Sequence, residues 1–352
     1  MTAFMQRMED QMGQFRRSAI RAAPILPLVL TTACSGGGSG GVSAGGPVVM
    51  QATTLPPNVD SATLGTNSPV VAVGNTTVAS MPAGTILPLR QSIVGTQINS
   101  VAPAPYVEAG GATLTYQGIQ TVNGATGPVF ELKVPNAVGG IDVTLKPDGT
   151  GGSNPDYLFI NGKVVDALNY TMTVTWSAVA SDIFGPLYAM GVTGFQTPAG
   201  NVPTNGQATY LGNGTAGARG SVQGLIFIQG GTYQPPATVS GSTSSFSVNF
   251  GSGQVTGTLS GLTATPASTA GVAGAPQAWN QVNIAGTLAG AVVSGNTSTP
   301  GPVGNLGFGA GATGKFDGAL HGPNGEELGA VWSLRDPATL ATAFGVVGAT
   351  KQ

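Results

Sequence analysis

The stretch from Thr313 to Arg335, TGKFDGALHGPNGEELGAVWSLR, constrains the fold of this chain more than any other. Two runs alternate with period two around a turn cluster. In the first, Phe316, Gly318 and Leu320 share one face, and Asp317, Ala319 and His321 share the other. In the second, Leu328, Ala330, Trp332 and Leu334 alternate with Gly329, Val331, Ser333 and Arg335. Successive strand side chains point to opposite faces, so this period calls for a strand pair with one buried face. Gly322-Pro323-Asn324-Gly325 supplies the fixed and positive φ values of a chain reversal. The expectation is a closing β-hairpin, with Trp332 in the core and His321 on the exterior beside the turn.

The remainder of the chain reads as strands too. Gly numbers 57 and Pro 25 of 352 residues, without the Gly-X-Y period of collagen, and only 7% of residues are charged. A hydrophobic share of 41% is enough for a core and excludes disorder of the highly charged kind. A net charge of −2, with no Lys/Arg run outside the amino terminus, offers no basic patch for nucleic acid. Residues 48–184 read as a β-rich subdomain. Its clearest hairpin signal is Asn161-Gly162 in DYLFINGKVVDAL, as a type I′ turn requires. Residues 185–352 hold eight strand candidates: 207–212, 219–228, 244–250, 254–262, 282–289, 290–294 or 303–308, 314–321 and 328–334. Eight strands can close on themselves, fill the interior with side chains and abolish exposed edges. The fold class expected is all-β: an eight-stranded antiparallel barrel preceded by a smaller β-rich subdomain. A membrane-inserted barrel is the rival, but it asks for strands of about ten alternating residues and aromatic girdles. Alternation here spans five to eight residues, and aromatics make up 6%.

The amino terminus carries an address. Arg16, Arg17 and Arg21 precede an apolar run, Ala22 to Leu30, which is too short to span a bilayer. Thr31-Thr32-Ala33-Cys34 follows, and Cys34 is the single cysteine, so no internal disulfide can form. A small residue before a lone Cys, then SGGGSGG, resembles the lipoprotein cleavage box, with Thr31 where Leu is usual. Residues 1–33 are therefore read as a signal peptide and Cys34 as the lipidation site. Residues 34–47 are then a flexible Gly/Ser tether with a reach of about 20 Å.

Catalytic chemistry has little to work with. His321 is the only histidine, so a Ser-His-Asp triad or a multi-His metal site has at most that one imidazole. Glu326 and Glu327 are adjacent, and neighbours on a strand point apart, which suits turn stabilisation better than paired acid–base work. Tyr157, Tyr170, Tyr188, Tyr210 and Tyr233 are candidate interface anchors or packing residues. The reading is a non-enzyme with no cofactor and no metal site.

The wording of the hairpin is more specific than its period. FDGALHGPNGEELGAVWSL resembles the last two strands of the transferrin-binding protein B family of bacterial surface lipoproteins, which end in a pattern like G-x-F-Y-G-P-x-A-x-E-x-G-G-x-F. Gly322, Pro323, Glu327, Gly329 and Trp332 hold their places. His321 stands where an aromatic is usual, Gly325 replaces Ala and Ala330 replaces a second Gly. GNVPTNGQATYLGNGTAG, from Gly200, resembles the family's opening barrel strand, and SFSVNFGSGQVTGTLSG, from Ser245, a strand pair with a Gly-rich turn. The resemblance implies that residues 48–184 form the family's "handle" packed on the barrel. It also implies a lipid-anchored protein of the outer membrane and cell surface, capturing a protein or haem-type ligand for a partner transporter. The alternatives are a structural or adhesive surface lipoprotein and a lipocalin-like carrier of a small hydrophobic molecule. An open barrel mouth would mark the carrier.

Overall fold

A computed structural model describes residues 72–73, 76–77, 83–97, 106–108, 111–135, 140–152, 157–180, 184–212, 222–227, 237–266 and 274–352. The expected signal peptide, Cys34 and the tether lie outside these residues. The first strands are β1 (Ala72–Val73), β2 (Thr76–Thr77), β3 (Ile86–Pro88), β4 (Arg90–Gln97), β5 (Tyr106–Glu108), β6 (Thr113–Val122), β7 (Ala125–Val134) and β8 (Ile141–Leu145). Next come β9 (Tyr157–Ala167), β10 (Thr171–Ala180) and β11 (Phe184–Gly194). The remaining strands are β12 (Gln207–Gly212), β13 (Val222–Phe227), β14 (Ala237–Asn249), β15 (Gln254–Thr265), β16 (Gln277–Ala278), β17 (Val282–Ala289), β18 (Val292–Ser298), β19 (Thr313–His321), β20 (Glu327–Arg335) and β21 (Thr342–Lys351).

The amino-terminal strands make two antiparallel sheets, ordered β3-β6-β7-β8 and β5-β4-β11-β10-β9. The chain crosses from one to the other at Leu89, between β3 and β4. Alternation decides what lies between them. Leu114 and Tyr116 of β6 turn inward while Thr113 and Thr115 turn away. They meet Phe130 and Leu132 of β7, and Ile93, Val174, Trp176 and Ala189 of the second sheet, in one apolar core. The indole N–H of Trp176 donates to Gln91 Oε1 at 2.9 Å, so the buried amide and ring satisfy each other.

Two sequence expectations change here. Asn161-Gly162 does not turn the chain. β9 runs straight through it, with Gly162 opposite Trp176 on β10. A Cβ on Gly162 would lie 2.7 Å from Trp176 Cβ, so this glycine admits a close neighbour strand. The mirror-image turn occurs at Asn123-Gly124 instead, between β6 and β7, with φ of 50° and 83°. Second, Phe184–Gly194 pairs with β10 and β4. It therefore belongs to the five-stranded sheet, and the barrel strands begin at Gln207 and not at residue 185.

The carboxy-terminal strands close into a ring: β13-β21-β20-β19-β18-β17-β15-β14 and back to β13. β12 and β13 run in the same direction along one slot between β14 and β21. β12 pairs with residues 244–249 of β14 and β13 with residues 237–241, and each also pairs with β21. They form one stave of an eight-stave closed antiparallel barrel. Counting them as two strands hid the true last stave, β21, which follows the expected closing hairpin. β21 escaped the period-two search because both its faces are buried, from Thr342 through Ala349. The 303–308 alternative for a strand is a loop that sends Phe308 into the core.

The barrel interior is filled. Phe246 and Phe316 stack at 5.8 Å, Trp279 meets Trp332 at 6.1 Å, and Phe308 sits edge-on to Trp279 at 5.4 Å. Val222, Leu259, Leu320, Leu328 and Leu334 complete that core. The outward positions of β14, β15, β17 and β18 are mostly polar, among them Ser247, Thr256, Asn283, Thr287, Ser294 and Asn296, with small apolar Ala285 and Ala289 between. That distribution is the inverse of a lipid-embedded barrel, which is apolar outside and polar within.

Candidate functional site

Gly322, Glu327 and Gly329 lie along the seam where the five-stranded sheet lies against β19, β20 and β21. Trp332 points into the barrel and is fully buried. Its strand neighbour Val331 points the other way, into a second apolar cluster with Met190, Val192, Phe227, Phe344 and Val346. Tyr188 and Phe344 flank the Phe227 ring at 5.3 and 5.9 Å. β20 is thus buried on both faces. Gly329 sits at a close approach of sheet and barrel, where a Cβ would lie 2.4 Å from Thr171 Cγ2 and 2.7 Å from Val192 Cγ2.

The Gly322–Gly325 turn is clasped by the segment that leads from β11 to β12. Gly322 N–H donates to Phe195 O at 2.9 Å, and its carbonyl accepts from Thr197 Oγ1 at 2.8 Å. Pro323 O accepts from Asn201 Nδ2 at 2.9 Å, and Gly325 O from the Tyr210 hydroxyl at 2.8 Å. These bonds tie the turn to the connector and to the first stave together.

The two glutamates divide their work. Glu326 does stabilise the turn, accepting from Asn324 N–H at 2.8 Å and from its side-chain amide at 3.0 Å. Glu327 does not. It is 1% exposed, and its carboxylate takes the backbone N–H groups of Asn169, through Oε1, and of Tyr170, through Oε2 at 2.8 Å. Those amides belong to the tight β9–β10 turn, so Glu327 pins that turn to the barrel wall. Burial pushes its pKa up to about 7 against the pull of the N–H donors. His321 does face away from the barrel core, as its register requires, but it is 3% exposed because the sheet covers it. Burial, with the Arg90 charge second, lowers its pKa to about 3 and keeps the imidazole neutral. An exterior position on a barrel is exposed only where nothing docks.

The ion pair at this seam had no sequence signal. Arg90 Nη1 of β4 donates to Asp317 Oδ1 and Oδ2 of β19 at 3.0 and 2.8 Å. In sequence, Asp317 falls on the strand face opposite Phe316 and Leu320, and nothing local links it to Arg90. The one available hint was rarity: in a chain with 7% charged residues, a charge inside a strand asks for a reason. Of the five tyrosines, Tyr210 fills the barrel, Tyr188 packs in the seam cluster and Tyr170 sits half-buried on the pinned turn. The side chains of Tyr157 and Tyr233 lie outside the described residues.

Among the described residues, no group of three His, Cys, Asp or Glu side chains could hold a metal ion, and no helix is long and apolar enough to cross a membrane. What remains open is surface. An outer-wall groove of about 540 Å³ is floored by Gly286 and Gly295 and edged by Thr287, Ser294, Asn296 and Lys315. At the far end of the sandwich the β6–β7 hairpin projects, with Ile119 41% exposed. Its tip is braced by a 2.8 Å hydrogen bond from Asn123 to Asp148.

The fold is a filled eight-stave barrel joined by a clasped turn to a sandwich of two sheets. Residues 202–351 match the family described as the C-lobe and N-lobe beta barrels of Tf-binding protein B. Over that stretch the chain is similar to the barrels of that family. Similar solved structures include a point mutant of transferrin binding protein B from Haemophilus parasuis Hp5, at 15% identity and TM-score 0.41, over 76% of this chain and 45% of that one. Isotype 1 transferrin binding protein B from serogroup B Neisseria meningitidis gives 17% identity and TM-score 0.38, over 76% of this chain and 44% of that one. The N-lobe of lactoferrin binding protein B from Moraxella bovis gives 12% and 0.33, over 55% and 80%. The chain thus spans less than half the length of the two full-length proteins. No curated protein matches it.

Proposed function

We propose that this chain is a lipid-anchored protein of the outer-membrane surface that captures an iron- or haem-carrying protein for a partner transporter. The observation that carries the reading is the match of residues 202–351 to the transferrin-binding protein B barrels. Two of the similar structures are named for binding transferrin and lactoferrin. Cys34 is the proposed lipid attachment point, and the Gly/Ser run after it the tether. The filled interior speaks against the lipocalin-like carrier, which needs an open barrel mouth. The partner would meet surface: Thr, Ser and Asn on the outer wall, and the braced hairpin. Such contacts rest on shape and neutral hydrogen bonds, so binding should be insensitive to salt. The sole histidine is buried and neutral, which favours a protein-borne ligand over free metal.

The test is capture by the immobilised full chain of transferrin, lactoferrin and haem-carrying proteins, beside free ferric ion and free haem, at low and high salt. Saturable, salt-tolerant capture of one iron- or haem-carrying protein is expected. A folded chain that retains none of them, or that binds free ferric ion stoichiometrically, refutes the proposal.

A further inference from the structure

The outer wall of the barrel carries a groove that neither the seam nor the clasped turn uses. It forms where β17 and β18 pair through two facing glycines, Gly286 opposite Gly295. Both occupy inward positions of their strands, Gly286 between Ile284 and Leu288 and Gly295 two residues after Val293. The strands come so close that a Cβ on Gly295 would lie 2.4 Å from Gly286 Cα. The bend that glycine permits here dents the wall. At about 540 Å³ the groove falls within the size range of small-ligand clefts. Its rims follow from the register. On one side Thr287 faces Ser294; on the other Asn296 faces Lys315, whose Nζ donates to Asn296 Oδ1 at 2.9 Å. All four are exposed. With its oxygen taken, Asn296 keeps its Nδ2 protons for a ligand, beside two hydroxyls that both donate and accept.

That lining favours one chemistry. The floor is bare backbone and Cα–H, and the rim is hydroxyl and amide. A matching ligand has an apolar C–H face with hydroxyls around its edge, which is the form of a pyranose ring. A charged ligand gains little, because the one carboxylate in the lining, Asp317, is engaged by Arg90. A peptide strand finds no edge to extend, because the staves pair on both sides around the closed ring. We propose that this groove binds a neutral oligosaccharide, with a ring face on Gly286 and Gly295 and hydroxyls met by Thr287, Ser294, Asn296 and Lys315. The site does not depend on the protein capture proposed above. Phe316, the aromatic residue in the lining, turns its ring into the barrel, so no ring stacks on the sugar and the Kd should be weak, about 1 mM.

Saturation-transfer difference NMR of the full chain with chitotriose, mannotriose and maltotriose suits that affinity. Transfer to at least one of the three is expected. Ala285→Leu fills the groove from an exposed position and should abolish it. Asn296→Ala removes the amide donors and should weaken binding about fivefold or more. Thr238→Ala, which removes an outer-wall hydroxyl of β14 away from the groove, should leave it unchanged. Passage of ovalbumin over the immobilised chain, before and after enzymatic removal of its glycans, separates the two sources of such a saccharide. Retardation of the glycosylated form alone assigns the groove to glycans borne on a protein, and binding of the trisaccharides without it to free saccharide. No transfer to any trisaccharide together with no retardation of ovalbumin overturns the proposal. So does transfer that persists in Ala285→Leu or, if that variant fails to fold, transfer undiminished in Asn296→Ala.

Discussion

Breaking the Arg90–Asp317 pair should cost far more than removing it. The two side chains are 15% and 6% exposed, and the guanidinium reaches both carboxylate oxygens. Burial nevertheless raises the Asp317 pKa, with Arg90 only partly offsetting it, so desolvation outweighs attraction at this site. A pair in that balance fixes placement more than it adds stability. Arg90→Met would leave a carboxylate buried without its cation and should destabilise by about 3–5 kcal/mol. Asp317→Leu removes one partner of the better-exposed guanidinium and should cost less, about 2–3 kcal/mol. The double variant should lose much less than the sum, leaving a coupling of about 2 kcal/mol or more. Urea unfolding of the full chain, followed by tryptophan fluorescence, suits the measurement. Trp176 reports on the sandwich, and Trp279 and Trp332 on the barrel. The sign with pH can be read as well. A raised folded pKa means that the contribution of Asp317 is full below its unfolded value and declines as pH rises through the folded one. Single losses under about 1 kcal/mol, or costs that simply add, would show that water screens the pair and would refute the reasoning.

Three further outcomes are expected. Trp332→Ala should cost about 3–5 kcal/mol in the same unfolding assay, because the ring is fully buried against Trp279; a loss below 1 kcal/mol would contradict the packing. Gly329→Ala should cost about 1–3 kcal/mol by overpacking the seam, with partial recovery on adding Thr171→Ser, which removes the methyl that the new Cβ would strike; no recovery would place the clash elsewhere. Cys34→Ala should abolish labelling by a fatty-acid probe and release the protein from membranes, and unchanged detergent partitioning would exclude lipidation at that residue.

The class of structure and one local register were legible in the order of residues alone. Period-two alternation in residues 313–335 places Phe316, Leu320 and Trp332 on one face and His321 and Val331 on the other, and the chain obeys that division. Backbone pleating sets such facing locally, so it is legible without any partner. Which faces meet water is another matter, because an outward face becomes interior once a second sheet covers it. For that reason His321 is buried, Glu327 is a clamp as well as a turn neighbour, and β21 shows no period to find. The same holds for Asn-Gly pairs. Asn123-Gly124 and Asn161-Gly162 offer the chain the same conformational freedom, yet only the first turns. The second lies where β10 pairs along its whole length and where Trp176 leaves no room for a side chain. Arg90 and Asp317 stand 227 residues apart, and no local signal joins them. Only the docking of sandwich on barrel brings the two charges together, and with it the desolvation that makes each depend on the other.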